Sequence, residues 1–151
     1  MKAKRFWILV GDASRAQIFE AEGKSGEIHP VEGGTFENAD LHRHARDVGS
    51  DRPGRGIESV GGARHAQEPR ADLHRQEKAK FAKLISNYME VQARENRFDS
   101  LVLIAPPQML GEFRGELGKH AEQRIVSEIH KDLTKLPPAE LTKQLHEILY
   151  P

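Results

Sequence analysis

The sequence predicts a single α/β domain built on a mixed five-stranded sheet. Short apolar runs with tight spacers fill residues 6–36. Two more apolar runs follow later, separated by stretches with three-to-four periodicity. Proline and glycine pairs fall where those stretches must stop or start.

Phe6-Trp7-Ile8-Leu9-Val10 is a continuous apolar run closed by Gly11-Asp12, the pattern of a strand buried on both faces. Ala16-Gln17-Ile18-Phe19 reads as a second strand. Residues 27–36 read as a third, kinked at Pro30 or at Gly33-Gly34. The short spacers make these three an antiparallel meander. Asp72 is then expected to cap a long helix whose stripe is Phe81, Leu84, Ile85, Tyr88 and Met89, with Glu77, Lys78, Lys80 and Lys83 mostly off it. Asn96, which tolerates a left-handed backbone, is expected to end that helix. Leu101-Val102-Leu103-Ile104 is a fourth strand, stopped by Pro106-Pro107. A short helix with Leu110, Phe113 and Leu117, a fifth strand over residues 124–130, and a last helix opening at Pro137-Pro138 complete the order. Leu141, Leu145, Ile148 and Leu149 give the last helix its apolar face. Right-handed crossovers then set the last two strands parallel to the first, with helices covering the sheet in a three-layer arrangement.

At 151 residues the chain can enclose one hydrophobic core. Its 23 basic and 23 acidic residues balance, so any affinity for a polyanion must come from local charge. With no cysteine, disulfides and thiol chemistry are excluded. The apolar run after the basic start is too short for a signal peptide or a membrane span, which leads us to expect a cytoplasmic protein.

Local charge is concentrated in residues 41–72, expected to form a long loop between the third strand and the first helix. Lysine is absent between Lys24 and Lys78, while Arg43, Arg46, Arg52, Arg55, Arg64, Arg70 and Arg75 crowd the interval with His42, His44, His65 and His74. No Phe, Trp or Tyr lies between Phe36 and Phe81. Arginine without lysine or aromatic neighbours suits two-point capture of phosphate or carboxylate rather than base stacking. Gly61 and Gly62 would permit close backbone approach. The expected anion-binding residues are therefore Arg52, Arg55, Gly61, Gly62, Arg64, His65 and Arg70. The same arginines could instead pair with Asp47, Asp51, Glu58, Glu68 and Asp72, within the loop or across a homo-oligomer.

Four segments look familiar together: Ser50-Asp51-Arg52-Pro53-Gly54-Arg55; Arg64-His65-Ala66-Gln67-Glu68-Pro69-Arg70; Leu101-Val102-Leu103-Ile104-Ala105-Pro106-Pro107 with Leu110-Gly111; and Lys131-Asp132-Leu133-Thr134-Lys135-Leu136-Pro137-Pro138-Ala139-Glu140-Leu141. Through them the chain resembles the bacterial host-attachment protein family. By element order it is also similar to the middle domain of archaeal and eukaryotic class-1 peptide release factors. That second likeness implies a tip between the third strand and the long helix that carries Gly-Gly-Gln into the ribosome. Here Gly61-Gly62-Ala63 stands in that gap without the glutamine, and Gln67 comes four residues after Ala63. The likeness therefore implies RNA or ribosome contact by this segment, and not peptidyl-tRNA hydrolysis.

Other chemistries have narrower support. His65 with Glu68 three residues on could serve a hydrolase acting on an ester or phosphoester. A protein-interaction adaptor is a further reading. His42, His44, His65 and His74 could contribute to a zinc site, but no cofactor or metal is expected from ligands so scattered. The expected topology is also similar to ribonuclease-H-like nucleases. Asp12 and Asp132 fall at one sheet edge, yet Asp99 falls at the other, and Asp12 is better placed to shape a turn.

Overall fold

Seven consecutive residues, Arg5–Gly11, form β1, the central strand, in a computed structural model that describes residues 4–23, 26–39 and 60–151. β2 (Arg15–Glu22) returns antiparallel to it, and β3 (Ile28–Glu37) pairs antiparallel with β2. The chain then enters α1 (Val60–Arg94), followed by β4 (Ser100–Ala105), α2 (Pro107–Glu116), the single turn α3 (Lys119–Glu122), β5 (Ile125–His130) and α4 (Pro138–Leu149). β4 pairs parallel with β1, and β5 parallel with β4, so the sheet order is β3-β2-β1-β4-β5. The expected meander and parallel pair are both present.

Alternation along the central strands divides the core. Trp7, Leu9, Leu101 and Leu103 pack under α1, α2 and α3, while Ile8, Val10, Val102 and Ile104 face Leu133, Leu141 and Leu145 beneath α4. Trp7 stacks on Phe98 with ring centroids 4.8 Å apart, and its indole N–H donates to Glu20 Oε1 at 2.9 Å. The kink in β3 is a bulge: Gln17 pairs with Thr35 but Phe19 with Pro30. Gly33 supports it with a φ of 77°, in the left-handed region open to glycine.

Three expectations about α1 need correction. The helix begins at Val60, so residues 60–72 are helical rather than loop, and Asp72 lies inside the helix instead of capping it. Alanine, arginine, glutamine and glutamate are good helix formers, and together they outweigh Gly61, Gly62 and Pro69. Leu84 is 56% exposed. At 100° per residue it lies well off the arc centred on Phe81, Ile85 and Met89, which are buried. Glu77 is buried rather than off the stripe, because the helix passes the rim of the sheet at that residue: Asn38, just after β3, donates from Nδ2 to the Glu77 carbonyl at 3.3 Å.

The helix ends as expected. Asn96 has a φ of 57°, with Asn96 N–H bonded to Ala93 O and Arg97 N–H to Gln92 O, the paired bonds of a Schellman cap. The last helix also opens as read, with Pro138 in its first turn.

Candidate anion-binding site

The strand ends that matter are those of β1 and β4, which lie side by side and point the same way. After β1 the chain turns back into β2 on one side; after β4 it leaves through α2 towards β5 on the other. Such a divergence opens a crevice at the carboxyl ends of the strands, the usual ligand position in α/β sheets. A cleft of about 780 Å³ lies there, within the range of small-molecule sites.

The β1–β2 turn makes one wall. Asp12 Oδ1 accepts the N–H groups of Ser14 and Arg15 at 2.8 and 2.9 Å and the Ser14 hydroxyl at 3.0 Å. Its Oδ2 accepts the Thr134 hydroxyl at 2.9 Å. Burial alone would push the Asp12 carboxyl up. The Arg15 and Ser14 N–H groups, then the Thr134 and Ser14 hydroxyls, outweigh it and hold the group below its ordinary value. Asn38 locks this turn to α1 by donating to the Ala13 carbonyl at 3.1 Å as well as to Glu77. Asp132 reaches Asp12 through Thr134, whose single hydroxyl proton is shared between Asp12 Oδ2 and Asp132 Oδ1, the latter 2.6 Å away. Asp99 sits at the far end of the sheet, accepting the Arg5 N–H at 2.8 Å. The three aspartates therefore do not converge, as the sequence indicated.

The second wall is cationic. His74, Arg75 and Lys78 of α1 line the cleft, and none of them forms an ion pair or hydrogen bond among the described residues. The third wall is the start of α2. Pro106 precedes it without a side-chain cap, and the first helical bond runs from Leu110 N–H to Pro106 O. The N–H groups of Gln108 and Met109 therefore lack an intrahelical acceptor. Glu112, one turn later, adds a carboxylate to the rim. The described lining thus combines cations from α1 with carboxylates from the β1–β2 turn and α2, beside an uncapped helix end.

Arg52 and Arg55 lie outside the described residues, as do His42 and His44. Gly61, Gly62, Arg64, His65, Glu68 and Arg70 fall on the first turns of α1. Three residues apart in a helix, His65 and Glu68 occupy neighbouring positions. At 100° per residue, positions 64, 70, 74, 75 and 78 share one arc of about 140°. That arc has the phase of the buried face formed by Phe81, Ile85, Met89 and Ala93. The same side of the helix thus changes from apolar over the sheet to basic beyond its rim.

Sequence reasoning assigned Asp12 to a turn and Pro106-Pro107 to a strand stop, and both assignments hold. It did not join them to His74, Arg75 and Lys78. The available signal was the distance between helix positions 78 and 81, where one phase switches from cation to aromatic.

Among the described residues no group of three or more His, Asp or Glu could hold a metal ion, and no helix is long and apolar enough to cross a membrane. No curated protein matches the chain at a significant level. Residues 7–145 match the family model described as "protein required for attachment to host cells", and the chain belongs to that family.

Proposed function

We propose that this host-attachment family member is a non-catalytic, cytoplasmic binding protein that grips RNA, in the first instance ribosomal RNA, through the basic side of α1. One observation carries the reading. The arc that packs on the core over Phe81–Ala93 is continued by cationic positions at Lys78, Arg75, His74, Arg70 and Arg64. A helix of 35 residues is roughly 50 Å long, whereas a six-residue strand spans roughly 20 Å. Much of the basic half therefore runs beyond the length of the strands, which suits a long ligand. Arginine spaced along one helical face matches phosphates spaced along a backbone. The resemblance of the sequence to the release-factor middle domain is what favours a ribosomal partner. A role in attachment to host cells would then be an indirect consequence of contact with the translation machinery.

Co-sedimentation with ribosomes over a salt series tests this. Binding should weaken steeply as salt rises, because each phosphate contact releases counterions. Replacing Arg64 and Arg70 with alanine should weaken it further and flatten the salt slope by roughly two contacts. Absence of association at low salt would remove the ribosomal reading.

A further inference from the structure

The cleft at the ends of β1 and β4 has features that a long RNA does not need. Among the described residues its cations stand on one wall. Arg75 and Lys78 on α1 oppose Asp12 and Glu112 on the turn and on α2, so the formal charges cancel when His74 is neutral. A uniformly anionic polymer would be repelled by half of this enclosure. A small ligand with an anion at one end and hydrogen-bond donors at the other meets both walls.

We propose that the cleft binds a phosphomonoester carrying vicinal hydroxyls, of mononucleotide size. The phosphate lies between Arg75 and Lys78, with the free N–H groups of Gln108 and Met109 available to its remaining oxygens. Phosphate fits this donor set better than carboxylate because it offers three terminal oxygens to donors arriving from two elements. Glu112 accepts from the hydroxyls. Asp12, already accepting four hydrogen bonds, contributes mainly its negative charge and the shape of its turn. Pro106 and Met109 provide apolar contact for the rest of the ligand. The cleft volume of about 780 Å³ exceeds what a free phosphate or an amino acid would fill. That Arg75 and Lys78 have no partner among the described residues is a second argument. Two permanent cations brought to one cleft repel each other and are drawn together by an anion between them.

This inference does not rest on RNA binding, and the two are read by different measurements. The full-length protein is titrated with AMP, ribose 5-phosphate, inorganic phosphate and adenosine, followed by NMR chemical shifts and calorimetry. AMP and ribose 5-phosphate should saturate, with adenosine at least tenfold weaker. A base contribution from the apolar contacts would appear as AMP binding more tightly than ribose 5-phosphate; equal binding would confine recognition to phosphate and sugar. The Arg75→Ala/Lys78→Ala double variant should lose at least tenfold for both phosphorylated probes. Lys143→Ala, an exposed change on α4, should lose nothing. Glu112→Gln supplies the sharper readout. It should weaken ribose 5-phosphate but strengthen inorganic phosphate, because it exchanges a charged hydroxyl acceptor for a weaker neutral one and removes a repelling charge. Circular dichroism establishes that each variant is folded. Adenosine equal to AMP, a double variant that binds normally, or no saturation of either phosphorylated probe at millimolar concentration would overturn the proposal. So would Glu112→Gln moving both probes in the same direction.

Discussion

The two halves of α1 share one backbone and one helical phase, yet opposite forces define them. From Phe81 to Ala93 the inward arc is alanine, isoleucine, methionine and phenylalanine, buried against the sheet. Before Phe81 the same arc holds Lys78, Arg75 and His74, which line the cleft at the strand ends, with arginine positions 70 and 64 further back. A helix that holds its phase past its buried segment keeps its basic positions in line with its apolar ones. The apolar half sets the orientation, and the basic half is what gets oriented.

Substitution should separate the halves most strongly in stability. Met89 is fully buried, and Met89→Ala should cost about 2–5 kcal/mol by loss of transfer energy and creation of a cavity. Arg75 is exposed without a described partner, so Arg75→Ala should change stability by less than about 0.5 kcal/mol. Denaturant unfolding of both proteins measures the contrast. Comparable losses would mean that the basic half is also part of the cooperative core.

Glu90 is a charged residue buried on the packed half. Its Oε1 accepts the Ala121 N–H at 2.9 Å, capping α3, while Oε2 lies 2.7 Å from His120 Nδ1 and 3.2 Å from Arg94 Nε. Burial alone would push this carboxyl up; the Ala121 N–H, then His120 and Arg94, outweigh it and hold it below its ordinary value. Glu90→Ala should cost about 2 kcal/mol, since it strands a backbone donor that a charged acceptor now satisfies. The pH dependence follows from the depressed value. The folded state binds this proton less readily than the unfolded chain, so the contribution is complete above the ordinary carboxylate range. It is lost as pH falls through the lower folded value. Acid titration of stability should therefore be flatter for Glu90→Gln than for the native protein.

Gly118 checks the same contact from the other side. A Cβ there would stand 2.5 Å from Glu90 Cδ and 2.6 Å from Oε1. The Glu90 side chain cannot swing away without surrendering its three partners. Gly118→Ala should destabilise by about 1–2 kcal/mol, as overpacking does, and the loss should shrink when Glu90 is already alanine. Additive losses would show that the glycine is needed for something other than room for Glu90.

The packed half was legible in the sequence because apolar periodicity reports burial. Phe81, Ile85 and Met89 follow it, as do Leu141 and Leu145 in α4, and β1 and β4 announced themselves as apolar runs. Leu84 misled because hydrophobicity alone does not say which side of a helix meets the sheet. The basic half was misread as loop because Gly61, Gly62 and Pro69 are local signals of interruption, while the good helix formers between them act only in sum. The cleft was illegible for a different reason. Asp12, Asn38, Lys78 and Glu112 are far apart in the chain, and only the parallel pairing of β1 and β4 brings their elements to one rim. Asn38 gave no signal at all, although it ties β3, the β1–β2 turn and α1 together.

The smallest effect expected lies where the packed half stops. Asn96 holds a left-handed φ of 57°, and its Oδ1 accepts Arg124 Nη2 at 3.0 Å. Asn96→Gly relieves the backbone but forfeits that acceptor and loosens the unfolded chain, so the terms nearly cancel to within about 0.5 kcal/mol. Asn96→Ala gains nothing in exchange: it keeps a Cβ in the left-handed region and loses the acceptor, costing about 1 kcal/mol. The order native ≈ glycine > alanine in denaturant midpoint is the signature of a conformational cap. Glycine falling to the level of alanine would instead give the position to the Arg124 hydrogen bond. The end of α1 would then be fixed by its contact with the residue that leads into β5 rather than by its own backbone.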